Sequence, residues 1–258
     1  MRLMKRILSA AAVLALSASL LVGCSSGTAS SVPVSASSAA ESTVSSVEET
    51  ASSAVDENEA AAAQLLNDLT GSYQELWPVI LADEYKQTWL DDCTALVGED
   101  NAEAAFEKLS SMVTGDVYGE DAVKAYANGG GAYFCGFTNS LAILTFDGET
   151  STISGTDKDG NVLFSHTYHY IGMEPVRGLY EFQSDDADSG EFTYFFLAPD
   201  ISAETYHIEF RYGSDAEALS QYDTGEYAYW LASGISTDCD QTMIDNCIEL
   251  FCTENLAG

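Results

Sequence analysis

Residues 205–222 read TYHIEFRYGSDAEALSQY. Up to Tyr212 the residues alternate in kind. Tyr206, Ile208, Phe210 and Tyr212 are apolar or aromatic, whereas Thr205, His207, Glu209 and Arg211 are polar. A period of two is the signature of a β-strand with one packed and one polar face. Gly213-Ser214 closes the strand, and DAEALSQY reads as a short helix after it. Upstream, the same kind of segment recurs six times: AYFCGF (132–137), SLAILTFDG (140–148), STISGT (151–156), NVLFSHTYHYIG (161–172), GLYEFQS (178–184) and FTYFFLA (192–198). All are short, aromatic or β-branched, and turn sequences such as DKDGN and DDADSG separate them. Seven closely spaced strands predict an antiparallel barrel or sandwich.

Before Tyr133 the periodicity is helical. Residues 60–81, 84–98, 101–115 and 119–127 carry apolar residues three to four apart, and Asn101 with its acidic first turn reads as an N-cap. A last helical pattern, DQTMIDNCIELFCTENL, fills 240–256. The fold class is α+β: an antiparallel barrel with helices at its N-terminal side and C-terminus, packed on one end or face.

Outside this domain, expected at 61–258, the chain changes character twice. Arg2, Lys5 and Arg6 precede an apolar stretch of export-signal type, so residues 1–23 are expected to be a signal peptide. The stretch ends in Leu21-Val22-Gly23-Cys24, which resembles the lipobox of bacterial lipoproteins and implies lipid on Cys24. Residues 25–60 hold twelve serines, seven alanines, six acidic residues and no basic one. Too little apolar surface is present there to offset chain entropy, so 24–60 reads as a lipidated cysteine and a disordered tether. The reach of such a coil is about 30–36 Å. Together these features predict a domain held by its lipid at the extracytoplasmic face of a cell membrane, with no spanning helix.

Of the 41 acidic residues, 35 lie in the domain, against six basic ones: Lys86, Lys108, Lys124, Lys158, Arg177 and Arg211. That balance excludes nucleic acid and anionic membrane surfaces as partners. In so acidic a chain the two arginines are expected to make at least one carboxylate pair. Five cysteines follow Cys24: Cys93, Cys135, Cys239, Cys247 and Cys252. Outside the cytoplasm they allow up to two disulfides and a leftover thiol, with buried free thiols the alternative. No CxxC, GxSxG, HExxH or phosphate-cradling glycine loop occurs, so no catalytic activity is expected. Asp186-Ala187-Asp188-Ser189-Gly190 and Asp157-Lys158-Asp159-Gly160 lack the flanking helices of a calcium loop and read as hairpin turns.

The run from Tyr168 to Ser233 resembles the ZinT (YodA) family, including the domain at the C-terminus of AdcA-type zinc lipoproteins. The likeness is carried by YHYIG (168–172), VRGLYEF (176–182), DADSGEF (186–192), TYHIEFRYGSDAEALSQY and TGEYAYWLASGIS (224–236), and more loosely by LTGSYQELWPVIL (69–81). Residues 84–127 do not match closely. The resemblance implies a calycin- or lipocalin-like barrel, exported, binding a divalent metal ion, zinc above all, for storage or delivery to a metal-uptake transporter. It also implies a metal site. The family binds zinc through the His of an SDH segment and both His of an HFH segment. His207 stands at the second His of HFH and Thr205 at the first. Counting forward from Phe192 puts Asp200 where the SDH histidine stands, whereas counting back from His207 removes it. The resemblance therefore implies His207 as ligand with Asp200 as partner, and Glu209, Glu204 or His166 as third donors. One imidazole in place of three weakens zinc binding and favours harder cations. The alternative is a metal-free calycin-like module for a small ligand or a partner protein. His166 and His169, three apart, point to opposite faces of a regular strand, so at most one joins any common site.

Overall fold

The computed structural model describes residues 57–199 and 207–257. The expected signal peptide, Cys24, nearly all of the tether, Asp200, Glu204 and Thr205 lie outside the described residues. Eight strands form a closed, wholly antiparallel barrel in which each strand pairs with its neighbour in sequence. They are β1 (Gly71–Glu75), β2 (Ile143–Asp147), β3 (Thr152–Thr156), β4 (Val162–Met173), β5 (Tyr180–Ser184), β6 (Tyr194–Leu197), β7 (His207–Gly213) and β8 (Ala232–Ser236). Pairing of Tyr73 with Ser236 and of Glu75 with Gly234 joins β1 to β8 and leaves no free edge. A helix precedes the barrel (α1, 57–68). Between β1 and β2 lie α2 (Leu76–Ile80), α3 (Lys86–Val97), α4 (Glu99–Val113) and α5 (Glu120–Ala127). A short α6 (Ala216–Leu219) follows β7, and α7 (Gln241–Leu256) follows β8. The barrel with helices at both ends of the chain is the expected fold class.

Two segments differ from their expected state, and one strand, β8, had no expectation. Residues 71–75 fall inside a stretch read as helical, yet they form β1. Tyr73 packs into the barrel and Ser72 bonds the Thr145 hydroxyl at 2.9 Å, so tertiary pairing overrides a helix-compatible pattern. Strand β8, Ala-Ser-Gly-Ile-Ser, has little strand propensity. It pairs because small residues are needed there: a Cβ on Gly234 would meet Ile208 at 3.1 Å and Phe137 at 3.4 Å. AYFCGF makes only single bridges through Phe134, to Thr114 and Trp230. Both edges of β2 are taken by β1 and β3, so that segment has no ladder to join. Helix α4 begins at Glu99, two residues before the expected cap, and the Asn101 side-chain Nδ2 donates to the Val97 carbonyl at 3.0 Å.

Two cores result. The barrel interior is filled by aromatic side chains, among them Phe146, Phe164, Phe182, Phe195, Phe210, Tyr212 and Trp230, all close to zero exposure. The polar tip of Tyr212 is satisfied there: its hydroxyl donates to the Thr138 carbonyl (2.9 Å) and accepts from the Thr138 amide (2.6 Å). The second core lies outside the wall. Ile235 of β8 packs with Leu76, Trp77 and Ile80 of α2, Trp89 and Cys93 of α3, Leu109 of α4, and Ile244, Cys247, Ile248 and Cys252 of α7. Residues 244, 247, 248 and 252 form one stripe of α7, which Asp240 caps by accepting from the Met243 amide at 3.0 Å.

Candidate functional site

The alternation of β7 is realised as read. Ile208, Phe210 and Tyr212 lie in the barrel interior, so His207, Glu209 and Arg211 form the outward row. Register places His207 across from Ile235 and Glu209 across from Ser233. This row is polar but covered, because the second core and the loop after β7 pack over that part of the wall. His207 and Glu209 are half-buried, and Arg211 is completely buried. Glu209 lies close to two thiols of the second core, Cys135 and Cys247. Burial pushes both up to about 12, and the Glu209 charge adds to the effect. Both are therefore thiols at neutral pH, poor metal ligands until deprotonated.

The other two histidines sit on β4 and do not approach His207. His166 pairs across from Ile153, stacks near Phe164 and faces inward, whereas the outward row of β7 points away from the lumen. The wall thus separates His166 from His207, and His166 is not brought to a common site. Its Nδ1 lies 2.8 Å from Asp186 Oδ2, and His169 Nδ1 lies 2.6 Å from Asp185 Oδ1. A carboxylate on Nδ1 fixes the tautomer and leaves Nε2 as the free nitrogen. Among the described residues no group of three or more His, Cys, Asp or Glu side chains could hold a metal ion. The hairpin turns behave as turns. Asp157 accepts from the Asp159 and Asn161 amides and from the Asn161 side chain, and these bonds, that side chain first, hold its carboxyl below the usual range.

Neither arginine forms an ion pair among the described residues, which corrects the expectation of a carboxylate partner. Arg211 donates instead to backbone carbonyls: Nη1 to Leu219, Nη2 to Tyr227, and both more weakly to Gln221. Its guanidinium lies 4.3 Å from the Tyr222 ring centroid, and Arg177 packs on the same ring at 4.2 Å. Arg177 also donates to the Tyr133 hydroxyl at 3.3 Å. The nearby buried carboxylate, Glu174, accepts from the Val176 and Arg177 amides at 2.7 Å each and weakly from the Tyr222 hydroxyl. Opposite charges therefore meet through Tyr222 rather than face to face. Sequence reasoning singled out neither Glu174 nor Tyr222, since neither lies in a pattern that distinguishes it from its neighbours.

A pocket of about 300 Å³ opens outside the barrel, where α2 meets the end of α4 and residues 134–136. Trp77, Pro78, Leu81, Val113 and Phe134 give it apolar walls, with Glu75, Thr114 and Cys135 as polar or soft groups. The buried Trp77 indole N–H has no hydrogen-bond partner among the described residues.

No protein-family model matches the chain, and no curated protein matches it. Among solved structures, the chain is similar to the Zn(II)-bound ZinT-like domain of Streptococcus pneumoniae AdcA. Identity is 15%, the match covers 70% of this chain and 87% of that domain, and the TM-score is 0.44. It is similar also to Zn(II)-bound AdcA from the same organism, at 14% identity and a TM-score of 0.43. That match covers 72% of this chain and 35% of AdcA.

Proposed function

We propose that this protein is an exported, lipid-anchored, non-catalytic binding protein for a divalent metal ion, zinc first, which it stores or passes to an uptake transporter. One observation carries the reading. The quoted segments that resemble the ZinT family fall in order along the closed barrel, with β6 between them: YHYIG on β4, VRGLYEF leading into β5, DADSGEF in the β5–β6 turn, residues 207–219 of the opening stretch on β7 and α6, and TGEYAYWLASGIS leading into β8. In that frame His207 opens β7, directly after the segment holding Asp200 and Glu204. Its row neighbour Glu209 is about 7 Å further along the strand. His207, Asp200 and one of Glu204 or Glu209 make the donor set of this reading. Such a set holds zinc more weakly than three imidazoles would, and it loses affinity as His207 gains a proton.

Calorimetric zinc titration tests this. His207→Ala is expected to weaken binding by about 10–100-fold or more, Asp200→Ala similarly, and His166→Ala not at all, because His166 faces the lumen. Equal heats and stoichiometry in wild type and His207→Ala would remove His207 from any site.

The pocket beside Trp77 favours a second reading, a metal-free module for a small, mostly apolar ligand. The barrel interior is filled by side chains, so that ligand would sit outside the wall. Absence of zinc heat in the wild type, together with a Trp77-dependent fluorescence change on exposure to small apolar acids, is the result that would favour it.

A further inference from the structure

All the cysteines of the domain gather in or against the second core, and two of them touch. Cys93 of α3 and Cys252 of α7 have no exposed surface, and their sulfurs lie 3.9 Å apart. Helix α7 packs along α3, so these two residues sit on facing stripes of neighbouring helices. Cys247, five residues before Cys252 on the same helix, is turned about 140° from it and lies nearer Glu209 and Cys239.

We propose that Cys93 and Cys252 are a modification site: in the presence of a disulfide donor they form a disulfide that locks α7 onto α3. A disulfide has a sulfur–sulfur bond of about 2.05 Å, so the sulfurs must close by about 2 Å, a displacement within reach of side-chain rotation and a small helix shift. The oxidant is a disulfide compound, small molecule or protein. The thiolate of one cysteine attacks it, forming a mixed disulfide and releasing one thiol. The other cysteine then displaces the second thiol. Two electrons and two protons pass from the protein pair to the donor, which leaves as two thiols. Burial raises the pKa of both cysteines, which makes them slow to react while α7 is seated. The bond therefore forms as the chain folds or when α7 lifts from α3, and once formed it prevents that opening. The loop it closes spans most of the domain, so the constraint on the unfolded chain is large.

The test uses the full chain refolded in mixed oxidised and reduced glutathione, then digested without reductant by trypsin and a Glu-specific protease. The expected product joins the fragment Gln87–Glu99 to Leu250–Glu254, the latter holding Cys252 without Cys239 or Cys247. It should vanish on reduction and be missing in Cys252→Ala. Oxidised wild type should melt about 5–15 °C above the reduced protein, and Cys252→Ala should show no such redox-dependent shift. Should Cys252→Ala fail to fold, Cys93→Ala replaces it, and the comparison of oxidised with reduced wild type needs no variant. A folded, oxidised protein without this cross-link overturns the proposal, as does a bridge between any other pair. A cross-link that leaves the melting temperature unmoved overturns the locking of α7.

Discussion

Replacing Arg211 by Met would remove a guanidinium that is fully buried and holds three backbone carbonyls of the loop between β7 and β8. Met fills a similar volume, so the cavity contribution is small and the loss falls on hydrogen bonding. Two of the bonds, to Leu219 and Tyr227, are close, and the two to Gln221 are long, at 3.4 and 3.3 Å. A buried carbonyl left without a donor costs about 1–3 kcal/mol, and two to three are stranded. Against this, the variant no longer buries a charge, a cost visible in the lowered pKa of the guanidinium, with burial as the largest cause. The net expectation is a loss of about 3–5 kcal/mol, read as a shift of the urea midpoint at unchanged slope. Arg177→Ala, which removes a partly buried side chain stacked on Tyr222, should cost only about 0.5–1 kcal/mol. Salt separates the mechanism from an ion pair. Bonds to neutral carbonyls in a dry site should give the same loss in 0.1 M and 1 M NaCl, even as both proteins gain stability from screened carboxylate repulsion. A loss below about 1 kcal/mol, or one that shrinks in high salt, would refute the assignment of these carbonyls as what Arg211 holds.

Other outcomes follow from the same structure. Cys135 and Cys247 are pushed by burial from about 9 to about 12. Between those values the unfolded chain releases their protons and the folded one keeps them, so stability is intact below pH 9 and falls as pH rises through that window. At pH 9.5 each thiol should cost about 0.8 kcal/mol relative to pH 8, and the Cys135→Ala, Cys247→Ala double variant should lose that slope; an unchanged slope would mean other groups set it. Tyr212→Phe strips the Thr138 amide and carbonyl of their buried partner and should lower the unfolding free energy by about 1–3 kcal/mol, whereas equal urea midpoints would show that water replaces it. Cys24→Ser should release the protein from the membrane fraction or block its processing; unchanged retention would exclude lipid at Cys24.

Strand β7 shows what its sequence could and could not convey. Alternation separated Ile208, Phe210 and Tyr212 from His207, Glu209 and Arg211, because a period of two is a property of extended backbone and needs no partner. It did not say what lies over the outward row. The clue was elsewhere, in the apolar stripe of α7, which must find a wall to cover, and in Ile235, which faces outward on β8. The two strands that seal the barrel, β1 and β8, were the least legible. One hides in a helix-compatible run, and the other is built of small residues chosen for close approach rather than for strand propensity. The proposed donor set around His207 turned on how residues 193–206 are counted against the resembled family, and segment length carries no periodic signal. Arg211 marks the same boundary from the energetic side. A domain with 35 carboxylates and six cations makes an acidic partner the default expectation. Burial reverses that preference, since a carboxylate brought beside Arg211 would add its own desolvation cost to that of the guanidinium. The carbonyls of Leu219, Gln221 and Tyr227 face it across a loop that makes no strand ladder, and they need donors in any case. In a dry site the arginine is held by groups already desolvated by the fold, and composition cannot reveal which these are.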